Sequence, residues 1–222
     1  MKYFTPLLLA STLVSGVQAA TVSYAFNNVY ETTEIHQSGD LGLFDTSLGN
    51  LTGARLSFSG MNHTSITLKN GAAQAQTVRA TGVTQLFFGA TLPSLDALIS
   101  IANPVLVLTV PTGPHTLAPG TQISTGMLAS AQTITWTNQL DGILGSLGQI
   151  GGGIFAVTCE SVSGLTVLGG GGNVGSAQVT QAACGAEIEY TYETRSQVPE
   201  PDALALVGLA LAGLAFARRR PK

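Results

Sequence analysis

Charge is scarce in this chain. Of its 222 residues only 9% are Asp, Glu, Lys or Arg, and 6% are aromatic, with a single tryptophan. There are two cysteines, Cys159 and Cys184, and three histidines, His36, His63 and His115. So few basic residues leave no electrostatic footprint for nucleic acid. Two cysteines with distant histidines do not make a zinc ligand set. No apolar run reaches the ~20 residues that span a bilayer comfortably. No G-x-S-x-G, no Walker loop and no H-E-x-x-H occurs. What fills the chain instead is Gly, Thr, Ser and small aliphatics, with 27 glycines and 45% hydrophobic residues.

The two ends differ from the middle. At the front, Lys2 is followed by an apolar stretch, Tyr3–Val14, and then by Val17, Gln18 and Ala19. Small residues at the −3 and −1 places mark residues 1–19 as a secretory signal peptide, cut after Ala19 or, as the alternative, after Ala20. Export of this kind uses the Sec machinery. At the back, Val198-Pro199-Glu200-Pro201 precedes an uncharged run, Ala203–Ala217, and the basic cluster Arg218, Arg219, Arg220 within the tail 218–222. As a helix the run is about 22 Å long, so it spans a membrane only marginally. Lys/Arg clusters stay cytoplasmic, which places the body outside.

Those three elements, in that order at the terminus, resemble the PEP-CTERM sorting signal over residues 198–222. The resemblance implies processing by an exosortase, a membrane-embedded cysteine peptidase. It also implies a Gram-negative host, an inner-membrane intermediate, and a destination at the cell surface or in an exopolysaccharide matrix.

Removing both ends leaves residues 20–197, the length of one domain. Four basic residues, Arg55, Lys69, Arg79 and Arg195, stand against ten acidic ones, a balance of −6. Acidic polysaccharide is repelled by such a surface. The patterning is β. "AQTITWTN" alternates Ile134 and Trp136 with threonines, and "AEIEYTYET" alternates Ile188, Tyr190 and Tyr192 with Glu187, Glu189 and Glu193. A period of two puts one set on the core and the other in water. Further runs lie at Thr21–Phe26, Ala54–Phe58, Ser65–Lys69, Gln76–Phe88, Val105–Val110, Ile154–Cys159 and Leu165–Leu168. They are punctuated by "SGMN", "KNG", "PTGP" and "GGGGN". About ten short strands predict an all-β, antiparallel sandwich or jelly-roll-like domain. "PSLDALISIANP" reads as a short helix with Ser94 as N-cap, or as a strand through Ile99 and Ile101. "QLDGILGSLGQIGGG" reads as a loop with one helical turn.

"FDTSLGNLTGARLSFSG" and the closing "EYTYET" resemble the opening and final strands of the choice-of-anchor E domain. Phe44, Asp45, Leu48, Gly49, Leu51 and Thr52 carry the first likeness. Thr46 stands where that family usually has proline. The family supplies no catalytic residues to transfer. In physical terms, Asp45 is placed to accept backbone N–H groups of Ser47 or Leu48 in an Asx-turn, with positive φ at Gly49 or Asn50. Phe44 and Leu48 are expected to plug the end of the sandwich.

In an oxidising compartment the even cysteine count predicts one disulfide, Cys159–Cys184. Each histidine reads as a surface or turn residue in a loop or at a strand end. Glu187 and Glu189 read as a solvated rim rather than a glycosidase pair. Gly169–Gly172 lacks the lysine and helix of a phosphate loop and reads as a flexible hairpin connection. Asp40 and Asp45 are weak calcium candidates. The expectation is a non-enzymatic surface or matrix protein with no catalytic residues, cofactor or metal. The alternative is a secreted carbohydrate-binding module or weak carbohydrate-active enzyme.

Overall fold

In the computed structural model, residues 19–194 and 207–214 are described. Residues 1–18 of the expected signal peptide 1–19, the motif Val198–Pro201 and the cluster Arg218–Arg220 lie outside them. Described residues 207–214 are helical and exposed. Among the described residues no helix is long and apolar enough to cross a membrane.

The strands in chain order are β1 (Ala19–Asn27), β2 (Glu31–Thr32), β3 (His36–Asp45), β4 (Gly49–Asn70) and β5 (Gln76–Ala90). After helix α1 (Pro93–Ala102) come β6 (Leu106–Leu117), β7 (Gln122–Trp136), β8 (Gly148–Gln149), β9 (Gly153–Gly169) and β10 (Val174–Thr194). They form two curled sheets facing each other as a sandwich. One runs β1-β10-β4-β7, with β2 also on β10; the other runs β6-β5-β9-β3-β8. Pairing is antiparallel except β8, which is parallel to β3.

The spine is the β4–β10 ladder, which runs from Val174 opposite Asn70 to Thr194 opposite Gly49. At ~3.3 Å per residue these strands are about 70 Å long. β4 runs unbroken through "SGMN", and β9 joins the expected runs Ile154–Cys159 and Leu165–Leu168 into one strand. Inward positions along β4 are the even residues from Ala54 to Asn70, all buried. Apolar alternation fails between Phe58 and Ile66 because Gly60, Asn62 and Thr64 occupy the inward places. Gly60 is required: a Cβ there would collide with Leu86 and press on Leu106. β6 likewise continues through "PTGP". It is an edge strand, where proline costs no ladder bond on the open side, and a register shift between Arg79 and Thr81 absorbs the irregularity.

Two apolar clusters result. The larger contains Leu56, Phe58, Phe88, Trp136, Val157 and Tyr190. The smaller contains Ile66, Leu68, Val78, Ala80 and Leu117. The phase reading places Trp136 and Tyr190 correctly in the core. Ile134 shares that phase but stays 36% exposed.

Cys159 and Cys184 form the predicted disulfide. Cys159 is on β9 and Cys184 on β10, so the bridge ties one sheet to the other through the core. Gly169–Gly172 is not a hairpin. β9 and β10 belong to different sheets, and the glycines carry the chain across the gap. All four have positive φ, from 55° to 92°, which only glycine adopts at no steric cost. The segment Pro93–Ala102 is the helix, not the strand. Pro93 opens it behind Leu92, no side chain caps it, and Ile99 is buried on its inner face. Ser94 instead pairs with Ser146, Oγ to Oγ at 2.7 Å. The Gly-rich "QLDGILGS" stretch is a 3-10 turn over Asn138–Ser146.

Candidate functional site

The two stretches that carry the body's family resemblance meet in space. Gly49, Asn50 and Leu51 of β4 lie opposite Thr194, Glu193 and Tyr192 of β10. Asp45 Oδ1 accepts the Ser47 N–H at 2.8 Å and the Gly151 N–H at 2.9 Å. Those bonds, led by Ser47, hold its carboxyl below the ordinary value. The Asx-turn is therefore formed through Ser47. Leu48 N–H donates to the Asp45 carbonyl at 3.1 Å, closing a turn over 45–48. This turns the Leu48 side chain outward, 45% exposed, so Phe44 alone plugs the end. Phe44 packs on Tyr190 and Tyr192 with ring centroids 5.8 and 5.0 Å away. Tyr190 OH donates to the Gly42 carbonyl at 2.9 Å, and burial pushes its phenol well above the ordinary tyrosine value. Neither Gly49 nor Asn50 has positive φ. Gly49 is needed for another reason: a Cβ there would collide with the Glu193 carbonyl. A cavity of about 470 Å³ opens at this end between Leu51, Leu144, Gly145 and Glu193.

The chemistry candidates are not brought together. Asp40 and Asp45 are five residues apart on β3, hence on opposite faces. His36 starts β3 and meets Glu160 at 3.3 Å in solvent. His63 is not at a strand end but midway along β4, stacked on Tyr30 at 4.2 Å. His115 is within β6, against the Thr112 carbonyl at 3.1 Å. Glu189 pairs with Arg55 at 3.5 Å, and Glu187 faces solvent. Among the described residues no group of three His, Cys, Asp or Glu is placed to hold a metal ion.

A feature the sequence reading missed lies between the two apolar clusters. Four strands each give two small or polar inward residues: Asn62 and Thr64, Gly82 and Thr84, Ser161 and Ser163, Gln178 and Thr180. Asn62 Nδ2 donates to Thr84 Oγ1 at 2.9 Å, and Thr84 meets Ser163 Oγ at 3.2 Å. Thr64 and Thr180 pair their hydroxyls at 3.1 Å. The belt reaches one side of the sandwich where the ladders stop. There β10 before Gln181 and β9 beyond Glu160 have free edges among the described residues. Residues 32–35 strap this opening. Thr33 N–H donates to the Thr180 carbonyl at 3.0 Å, and Ser161 N–H to the Ile35 carbonyl at 3.3 Å. Glu34 Oε1 accepts the Ser163 N–H at 2.9 Å. A cavity of about 320 Å³ remains beneath the strap. The signal was a pair of interrupted alternations: "GMNHT", which overlaps the expected break "SGMN", and "ESVSG", which fills the gap between the expected runs Ile154–Cys159 and Leu165–Leu168.

Residues 197–220 match the PEP-CTERM protein-sorting motif. That motif implies an exported protein sorted to the cell surface and processed by exosortase. Among curated proteins nothing matches the chain significantly. Among solved structures, the chain is similar to one titled "Structure of infectious bursal disease virus Gt strain", at 13% identity and TM-score 0.15. That match covers 90% of this chain and 50% of that one. It is also similar to one titled "Cryo-EM structure of Mud crab tombus-like virus at 3.3 Angstroms resolution", at 9% identity and TM-score 0.17, covering 91% and 94%. The chain thus spans about half the length of the first.

Proposed function

We propose that this chain is a non-enzymatic component of the cell surface or exopolysaccharide matrix, with a body of the choice-of-anchor E type. In this reading Sec exports it, residues 1–19 are removed, and the tail holds it in the inner membrane. An exosortase then cuts near Val198–Pro201. The observation that carries the reading is the sorting-motif match at residues 197–220, placed directly behind the last pairs of β10. Non-enzymatic action is supported by the scattering of His36, His63 and His115 over separate strands, each engaged with an unrelated neighbour. The body type is supported by the pairing of Gly49, Asn50 and Leu51 with Thr194, Glu193 and Tyr192. The test is the location of a tagged full-length chain with and without residues 198–222. The intact chain is expected at the surface or in the matrix, and the truncated chain in the periplasm or medium, unattached. Retention of the intact chain in the cytoplasm overturns the reading.

A further inference from the structure

We propose that the outer edge of β7 pairs antiparallel with the same edge of a second copy of this chain, in a register centred on Ala131. The proposal goes beyond the sorting reading and does not depend on it. β7 ends its sheet: it pairs with β4 on one side, and among the described residues no strand pairs with the other. A row of open backbone N–H and C=O groups is a template for a further strand, and proteins usually blunt it with charge, proline or a bulge. β6, the edge of the facing sheet, carries Pro111 and Pro114. β1, at the other end of the same sheet as β7, is held against β3, where the Tyr24 and Phe26 rings lie on Gly42 and Gly39. β7 has one bulge, at the register shift beside Gly126. From Met127 to Trp136 it has no proline and no charge.

Charge points to a second copy as the occupant. No Asp, Glu, Lys or Arg lies between Asp96 and Asp141, a stretch that holds both β6 and β7. The body as a whole carries a balance of −6. Two copies therefore repel elsewhere and meet on this side without facing like charges. A strongly basic or acidic partner finds nothing here to pair with.

The register follows from one side chain. Ile134 is in the inward phase of β7 yet 36% exposed. A twofold axis at Ala131 sets Ile134 opposite Leu128, both in the inward phase. It sets Met127, which is exposed, opposite Thr135 on the outer face. An axis at Ser130 would put Ile134 opposite the bulged Gly126, and an axis at Gln132 would put it opposite Ser130. Such cross-strand pairs are what stabilise a ladder. Residues 127–135 at ~3.3 Å each make an edge about 30 Å long, and the two layers of the sandwich make it about 20 Å across. Two copies would bury about 1,200 Å², the low end for a specific interface. With no aromatic anchor on the edge, Kd is on the order of 10–100 µM.

The test is sedimentation velocity on the full chain in mild detergent, at concentrations from about 5 to 500 µM to span that Kd. A monomer–dimer equilibrium is expected. Ala131→Lys, at an exposed position, sets like charges face to face on the axis. It is expected to weaken dimerisation at least about tenfold. Ala131→Cys is expected to give a reducible dimer, because the two Cα atoms at the axis would lie about 4.5–5.5 Å apart. Thr133→Cys, exposed on the same face, is expected to give none, because the same position in the second copy would lie four residues along, about 13 Å away. Thermal melts check that each variant folds, and if Ala131→Lys does not, the two cysteine variants decide alone. A chain that stays monomeric throughout overturns the proposal. So does dimerisation that survives in a folded Ala131→Lys variant, or cross-linking at Thr133→Cys equal to that at Ala131→Cys. Growth beyond the dimer also overturns it, since head-to-tail pairing of β7 with β1 would build open chains.

Discussion

Gly49 lies directly opposite Thr194, and these residues close the long β4–β10 ladder where the chain leaves for its sorting motif. The Gly49 Cα faces the Glu193 carbonyl so closely that no side chain fits. Residues far apart in the sequence are thus joined at the C-terminal end of β10.

Gly49→Ala therefore forces the exit pair apart. Overpacking of this kind costs about 1–3 kcal/mol. A denaturant titration should show the midpoint lowered with little change in slope. An unchanged midpoint would mean that the last pairs of β10 are loose in solution.

The Cys159–Cys184 bridge joins the sheets through the core, closing a sequence separation of 25 residues. The chain-entropy model gives roughly 3–4 kcal/mol for such a span. Cys159→Ser should lower stability by about 2–5 kcal/mol and should match the wild type treated with reductant. Two alkylatable thiols in the denatured, oxidised wild type would contradict this.

Asp45 makes a pH-dependent contribution. Its folded carboxyl sits below the ordinary value, 3.8, because Ser47 and Gly151 donate to the charged form. A depressed folded value means the contribution is complete above that ordinary value. It is lost as pH falls through the lowered folded one. The stability advantage of wild type over Asp45→Asn should be constant near pH 6 and shrink toward about pH 2. An advantage that grows on acidification would refute the assignment of Ser47 and Gly151 as its donors.

Much of the fold was legible from alternation alone. The phases of Ile188 and Tyr190 and the pairing of the cysteines follow from period two and an even count. Strand length was not legible. Periodicity registers a strand only while inward residues are apolar, and Gly60, Asn62, Thr64, Ser161 and Ser163 are inward without being so. Gly and Asn usually signal turns; here they serve close packing against Leu86 and a hydrogen bond to Thr84. The arch at Gly169–Gly172 was missed because glycine runs look alike whether the chain returns beside itself or crosses to another sheet. The side opening was invisible for a related reason: Glu34, Ser163 and Gln178 share no local spacing, and only the ends of two ladders bring them together.

The central claim is that the tail is read as a sorting signal. Proline has no backbone N–H and disfavours helix in the residue before it, so Pro199 and Pro201 are the motif residues whose replacement tests the reading. The most direct measurement is the size and location of the Pro199→Ala, Pro201→Ala double variant in cells that process the wild type. The account predicts a full-length precursor held in the inner membrane, its body accessible from the periplasm. Normal maturation and release of the double variant would contradict it, and would leave the tail as no more than a short membrane anchor.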